Sequence, residues 1–375
     1  MNYHIFLQAR SDSKRLPFKN FLLFKKIPAI LYLCSRLKYL KKNLTVLTTN
    51  LKSDAFLRYL LKKNKINFFE GSSSNVKKRF LDFSSKMNDE DIIIRITGDN
   101  LLIDSKLIKY CLSVFIKQKK DFLYLDNRKN NLPYGISIEI FKVKKLRNEK
   151  SNSKKSQEHV TYGFKNNYNS FTIKKFFKKK VYNYRCTLDY LEDYENLKNL
   201  INKKNINIDW KLLCNNLLPY KINFKNEINF KIKKTYELTK TEINKILTLK
   251  KTYWKFSLSS QKKFFVKNYK KNDLHFLIFN NSQLIAYNCL KKTKSIHLPF
   301  MLIDSFIVTP KYKGKGISNI LLAKNINEII NFNKDTYLYA NENSLNLYKN
   351  FGFKAIKSSK IIEQRPQKKL LKFSL

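Results

Sequence analysis

A chain of 375 residues, 43% of them hydrophobic, can bury a substantial core and is long enough for two domains, and it contains no run of eighteen apolar residues that would cross a membrane. Its formal net charge of +48 arises from 66 lysines and ten arginines against 28 acidic residues. Two readings of that charge are open, a surface for nucleic acid or another polyanion and a coding sequence drifted towards A/T-rich codons.

The opening MNYHIFLQAR lacks a basic lead and a small-residue cleavage site, so a signal peptide is not expected. Residues 3–9 (YHIFLQA) read as a strand that runs into the polar loop RSDSKRLPFKN. A helical stretch around 28–41 precedes a second strand, LTVLTTN, at 44–50. An amphipathic segment at 53–64 leads to INFFEG, and a further helical stretch leads to DIIIRITGD at 91–99. Strands alternating with helix-length segments indicate βαβ units and a mostly parallel sheet, in which ligands bind at the carboxyl ends of the strands. RSDSKRLPFKN and TGDN both follow such ends and are expected to face one crevice. The Lys-rich patch 174–180 reads as a solvated loop. Residues 203–240 turn Asn- and Lys-rich, lose periodicity and include Pro219, which puts a domain boundary near 220–232. Beyond it a helix is expected over 241–268, then strands HFLIFNN and QLIAYNCLKK joined by a turn at Asn280-Asn281. A strand LIDSFIVTP (302–310), a glycine-containing loop, a helix at 317–330, a strand TYLYAN and a last helix around Ser344–Asn350 complete the pattern.

The lysines are spread along the whole chain, and Asn, Ile, Phe and Tyr are abundant beside them. Drift is therefore favoured, and nucleic acid is not expected as a partner. Cys34, Cys111, Cys186, Cys214 and Cys289 stand singly, without CxxC pairs, which points to a reducing cytoplasm and away from structural zinc. With only seven glycines, each is expected where a side chain cannot sit. In a chain so rich in lysine, arginine is expected where a planar fork is needed, with Arg10, Arg15, Arg95 and Arg185 as the cases.

A strand followed by a loop of cations and hydroxyls suits a triphosphate, with Arg10, Ser13, Arg15 and Lys19 offering charge-assisted hydrogen bonds. LQARSDSKRLPFKNF, RITGDNLLID, PYGISIEIF, EHVTYGFKNN and RCTLDYLEDYENL occur in an order and at spacings that resemble the sugar cytidylyltransferase family, over roughly residues 3–218. The nearest likeness is to its spore-coat-polysaccharide branch. The resemblance implies that Arg10, Ser13 and Lys19 hold nucleotide phosphates. It further implies that Asp99 binds Mg2+ beside the α-phosphate and that Asp189 is a second metal ligand. The implied reaction is attack of a sugar hydroxyl on the α-phosphate of CTP with loss of pyrophosphate. Glu139 and His159 lie in motifs that would face the sugar, although a structural, hydrogen-bonded histidine is the favoured reading for His159. Where relatives usually carry glycine this chain has Asp12 and Phe18, and where they carry proline it has Leu101.

In the second half, SFIVTPKYKGKGISNILL reads as strand, loop and helix, with Gly314 and Gly316 letting backbone N–H groups close on a diphosphate. Together with NENSLNLYKNFGF it resembles the GNAT acetyltransferase superfamily over roughly residues 232–360. The superfamily loop has the form Arg/Gln-x-x-Gly-x-Gly/Ala; Lys313, Gly316 and Ser318 stand at its three positions. The resemblance implies that Tyr348 protonates the departing CoA thiolate and that Asn343 helps orient acetyl-CoA. A tyrosine merely packed on its helix is the other reading. Ser344 reads as a helix start. No single base for the acceptor amine stands out, with Glu342 or a water chain as candidates.

The expected fold class is α/β: a Rossmann-like nucleotidyltransferase domain with a mostly parallel sheet over 1–220, a linker over 221–231 and a GNAT α/β domain over 232–375. The expected chain is a cytoplasmic, bifunctional enzyme of surface-glycan synthesis. It would use CTP, Mg2+ and acetyl-CoA to activate a nonulosonic-type sugar and N-acetylate an amino sugar. Members of the first family are often dimers, which makes a homodimer an expected state. Two alternatives are an acetyltransferase with a degenerate sugar-binding N-domain, motivated by Asp12 and Phe18, and a basic nucleic-acid-binding protein.

Overall fold

Ile5, Phe6 and Leu7 are consecutive, apolar and fully buried, as happens when both faces of a strand are covered. They form β1 (Tyr3–Gln8) inside a six-stranded sheet of a computed structural model. The structure describes residues 2–150, 153–166, 176–204, 208–222, 227–293, 300–356 and 368–374. It divides into two compact units, Met1–Ser13 with Lys19–Ile222 and Lys14–Phe18 with Asn223–Leu375.

In the first unit β1 is followed by a two-stranded ribbon, β2 (Leu23–Phe24) and β3 (Ile27–Pro28), and by α1 (Ala29–Arg36). Then come β4 (Leu44–Thr49), α2 (Ala55–Lys63), β5 (Phe68–Gly71), α3 (Val76–Phe83), β6 (Ile92–Thr97) and α4 (Ser105–Lys117). The remainder is β7 (Phe122–Tyr124), β8 (Glu139–Lys142), α5 (Val143–Arg147), α6 (Lys154–Glu158), α7 (Tyr162–Asn166), α8 (Leu191–Asn202) and α9 (Trp210–Asn215). The strand order is β5-β4-β1-β6-β8-β7. β1 pairs in parallel with β4 and β6, and β4 with β5, as expected. β8 runs antiparallel to both β6 and β7, a feature the sequence reading lacks. The chain moves outwards from β1 to β5 and then crosses to β6 on the other side of β1. This switch point leaves a crevice outside the carboxyl ends of β1 and β6. Phe6, Val76, Phe80, Phe141, Leu146 and Phe164 share one core under the sheet.

The second unit is a seven-stranded sheet of order β14-β15-β13-β12-β11-β10-β9. Its elements are β9 (Ile228–Lys234), α10 (Lys240–Lys251), α11 (Leu258–Asn268), β10 (Leu274–Asn280), β11 (Gln283–Thr293), β12 (Phe300–Val308), α12 (Ile317–Phe332), β13 (Thr336–Ala340), α13 (Glu342–Asn350), β14 (Lys354–Ala355) and β15 (Lys369–Phe373). Only β12 and β13 pair in parallel, from Met301↔Thr336 to Ile303↔Leu338, and no register pair follows among the described residues. One expectation is corrected. The helix expected over 241–268 is two helices, because Ser257 caps a new one by accepting the Ser260 N–H. The linker expected over 221–231 overlaps β9, whose Ile228 pairs with Asn280 of β10. Residues 223–226 of that linker, 205–207 of the Asn/Lys-rich stretch, 174–175 of the Lys-rich patch and 167 of the EHVT segment lie outside the described residues. No helix among the described residues is long and apolar enough to cross a membrane.

Candidate active sites

The loop after β1 is pinned by a buried carboxylate. Asp54 accepts the Ser11 N–H at 2.6 Å and the Thr48 hydroxyl and Thr49 N–H at 3.3 Å, together with the Thr49 hydroxyl. Asn20 closes the other end by donating to the Arg10 carbonyl at 3.0 Å. Between these anchors Arg10, Asp12 and Arg15 are exposed and Ser13 is half-buried. Phe18 adopts φ 57°, the left-handed region that glycine enters without strain and a phenylalanine enters at about 1 kcal/mol or more.

At the end of this loop Lys19 reaches into the crevice. Its Nζ donates to Asp99 Oδ2 at 2.7 Å and to Asp189 Oδ1 at 2.9 Å. Asp99 follows β6 and accepts the Thr97 hydroxyl at 2.6 Å. Asp189 comes from the TLD segment, and the backbone brings the two together: the Leu188 N–H donates to the Asp99 carbonyl at 3.0 Å. Burial works against ionisation of Asp99, but the Lys19 ammonium and the hydrogen bonds from Lys19 and Thr97 outweigh it and hold the carboxyl below its usual range. Burial likewise pulls Lys19 down, and the two aspartates more than reverse it. Lys19 is thus a fixed cation in the crevice, and Asp99 a carboxylate.

The TLD segment is held from two further sides. Gly135 (φ 112°) lies against it so closely that a Cβ would stand 2.5 Å from the Thr187 nitrogen, which only glycine avoids. Asp193, fully buried in the first turn of α8, accepts the Asp189 N–H at 2.8 Å and the Tyr190 N–H at 2.9 Å. It also receives the Arg185 fork at 3.1 and 3.2 Å, and the Tyr220 hydroxyl. Sequence reasoning missed Asp193; the signal was an acid at the third helical position after the TLD turn. Arg95 uses its fork similarly, on buried Glu139 and on Gln8 at 2.9 Å, so Glu139 is engaged within the sheet. His159 is exposed at the end of α6.

In the second unit β12 leads through Pro310–Tyr312 to the glycine loop. Gly314 (φ 77°) and Gly316 (φ 83°) are both left-handed, and Gly316 is the N-cap of the 16-residue α12 with no side-chain cap on its first turn. Such an end favours anions. Lys313 and Gly314 are exposed beside it, and Ser318 is half-buried at the second helical position. The last helix starts earlier than expected. Asn341 is its cap and accepts both the N–H (3.0 Å) and the hydroxyl (2.6 Å) of Ser344, which leaves Asn343 exposed in the first turn. Tyr348 is buried between Phe306 (5.7 Å) and Phe353 (5.9 Å), and burial pushes its phenol up. It is therefore a neutral phenol, not a phenolate, near neutral pH.

Strand switch point, cationic loop and facing aspartates define a nucleotidyltransferase, and comparisons with known proteins agree. The cytidylyltransferase family model matches residues 5–268, and the chain belongs to that family. The acetyltransferase (GNAT) family model matches residues 242–353, so nucleotidyl transfer and N-acetyl transfer are joined in one chain. An uncharacterized protein of Methanocaldococcus jannaschii is 32% identical over 198 residues, 50% of this chain and 79% of its own. The spore coat polysaccharide biosynthesis protein SpsF of Bacillus subtilis is 29% identical over 222 residues, 54% of this chain and 88% of its own. A solved cytidylyltransferase from Leptospira borgpetersenii is 30% identical with a TM-score of 0.53, covering 57% of this chain and 93% of that one.

Proposed function

We propose that the first unit transfers a cytidylyl group from CTP to a nonulosonic-type sugar and that the second N-acetylates an amino sugar with acetyl-CoA, both for surface-glycan synthesis in the cytoplasm. The observation that carries the first half is the meeting of Lys19, Asp99 and Asp189 within 3 Å contacts at the switch point. Arg10, Ser13, Arg15 and Lys19 hold the triphosphate. A sugar hydroxyl attacks the α-phosphorus in line, the new P–O bond forms as the α–β bridge breaks, and pyrophosphate leaves with the electron pair. No cluster of three or more His, Cys, Asp or Glu is present among the described residues, but two carboxylates completed by phosphate oxygens is an arrangement Mg2+ accepts. Asp99 and Asp189 would hold that ion, which when bound neutralises charge on the transferring phosphate. Relation to SpsF supports the glycan setting.

For the second half, Lys313 and the backbone at Gly314, Gly316 and Ser318 hold the CoA diphosphate, Asn343 orients the cofactor, and Tyr348 protonates the leaving thiolate. The working domains are 1–220 and 232–375, and a homodimer is the proposed assembly. A second reading keeps only the acetyltransferase active, because Phe18 occupies a left-handed position in the phosphate loop.

Pyrophosphate release with Mg2+, each NTP in turn and a panel of nonulosonic acids tests the proposal. CTP-selective release that falls at least about 100-fold in Asp99→Asn is expected. No release from folded protein that still binds acetyl-CoA would favour the second reading.

A further inference from the structure

Lys77 and Lys250 are the two lysines among the described residues that are buried. Lys77 donates to the Glu149 carbonyl. Lys250, at the end of α10, is 2% exposed, and no carboxylate lies within ion-pair distance of it among the described residues. Its one hydrogen bond there goes to Tyr269 Oη at 3.2 Å; otherwise its amine faces the rings of Phe264 (4.4 Å), Tyr269 (5.2 Å) and Trp254 (5.6 Å). A charged amine in such surroundings loses its hydration without the partner that usually repays it. Burial accordingly lowers Lys250 from the ordinary lysine range, with Asp304 of β12 and Cys289 of β11 opposing and Lys291 of β11 assisting.

Tyr269 Oη is also 2.9 Å from Ser305 Oγ. Ser305 sits where β12 is irregular. Tyr287↔Ile307 and Cys289↔Asp304 leave one extra residue in β12, and Ser305 takes φ 55°. It also lies beyond the last pair between β12 and β13, half-buried, next to Phe306, whose ring packs on Tyr348. The hydroxyl therefore stands one residue from the neighbour of the proposed thiolate donor, at the place where the two parallel strands part.

We infer that Lys250 is the proton acceptor for the acetyl acceptor, reached through Ser305 and Tyr269; this rests on the second unit's proposed N-acetylation. The acceptor arrives as an ammonium, gives a proton to Ser305 Oγ while Ser305 passes its own to Tyr269 Oη, and Tyr269 passes its own to Lys250 in its unprotonated form, which burial favours. The products are a free amine with a lone pair for the thioester carbon and a protonated Lys250. A second hydrogen-bonded chain lies beside Tyr269, whose ring packs edge-on against His275 at 5.2 Å. Tyr287 Oη is 2.8 Å from His275 Nδ1, and His275 Nε2 is 2.9 Å from Thr235 Oγ1, which is half-buried. Because the Thr235 hydroxyl donates to the Lys270 carbonyl at 2.6 Å, it accepts from Nε2–H, and Nδ1 accepts from Tyr287. Burial, with the Lys250 charge, pushes His275 down to about 3, so the imidazole is neutral and takes no proton from the relay.

The test uses the full chain. In protein carrying 13Cε-lysine, one resonance absent from Lys250→Arg should titrate below the other lysines. Tyr269→Phe keeps the packing ring and breaks the relay. With acetyl-CoA and glucosamine as probe acceptor it should lower kcat about 100-fold at neutral pH, leave the KM for acetyl-CoA unchanged, and regain most of the loss once the pH exceeds the acceptor's own pKa. A Lys250 that titrates with the other lysines overturns the relay, and so does a Tyr269→Phe deficit that is absent or equal at all pH. If the wild type binds acetyl-CoA but acetylates no amino sugar of a panel, the amino-sugar reading falls instead. The lysine titration then decides by itself, a low value keeping Lys250 as the base for another amine and an ordinary one removing it.

Discussion

Lys19 joins two carboxylates that would otherwise repel each other, and this makes it the residue whose loss is easiest to read. Removing one partner of a buried pair costs about 3–5 kcal/mol, since the remaining charges are left without compensation. Lys19→Met should therefore lower stability to urea by about 3 kcal/mol at pH 7, discounted from the upper figure because the Asp99 side chain is 22% exposed. The sign with pH follows from the shifts. The folded pKa of Asp99 is depressed, so its contribution is present above the unfolded value and is lost as pH falls through the folded one. The gap between variant and wild type should accordingly close on acidification below the ordinary carboxylate range. Millimolar Mg2+ should recover part of the loss in the variant and little in the wild type, because a divalent ion can take the place of the ammonium. Urea midpoints with and without Mg2+ check both statements; a variant indifferent to Mg2+ would mean that the two aspartates do not hold a metal. Lys19, Asp99 and Asp189 were legible because each sits in a motif with a fixed order along the chain. Asp193 was not, because its work is to receive N–H groups whose position only the folded turn reveals. Phe18 was flagged only by standing where relatives carry glycine, and Ser305 was illegible because its side chain gives no hint of a left-handed backbone.

Among elements, those with strong periodicity or long apolar runs were readable, and those defined by their partners were not. β1, β4 and β6 announce themselves by consecutive buried residues, whereas β7 and β8 are three and four residues long and gain identity from antiparallel pairing. β9 escaped notice although its lysines and asparagine alternate with apolar residues, because the same residue types fill the Asn- and Lys-rich stretch before it. The break between α10 and α11 was hidden by an aromatic run, Tyr253 and Trp254, that continues the apolar pattern past the end of the first helix. The amino end of α12 allows a test in which two effects of one charge part company. Ser318→Asp places an acid in the first turn, where it should stabilise the helix by about 0.3–1 kcal/mol through the dipole. The same charge competes with a bound diphosphate, so acetyl-CoA affinity should fall at least about tenfold, roughly 1.4 kcal/mol. Urea denaturation and calorimetric titration read the two effects separately. A loss of affinity accompanied by lower stability would point to a damaged helix, and unchanged affinity would remove α12 from the cofactor site.

For the molecule as a whole, the composition that looked most informative says least about mechanism. Among the described residues, all lysines but Lys77 and Lys250 are at least partly exposed to solvent, and those two are buried. A solvated charge of this kind acts at a distance and is screened over about 10 Å at 0.1 M salt. It should raise the encounter rate of the chain with CTP and acetyl-CoA at low ionic strength without fixing either in place. In the proposed sites what fixes them is local: Arg10 and Lys19 beside two aspartates in the first unit, and the amino end of α12 in the second. The distinction can be measured with random-sequence DNA as the polyanion. The full chain should bind it at low salt, and the affinity should fall steeply along a log–log salt plot. It should be weaker than about 10⁻⁶ M at physiological salt, the range of non-specific binding. Turnover with saturating CTP should change little across the same salt range, because contacts inside the crevice are poorly screened. Nanomolar binding that survives physiological salt would make the charge a recognition surface and return nucleic acid to the list of partners.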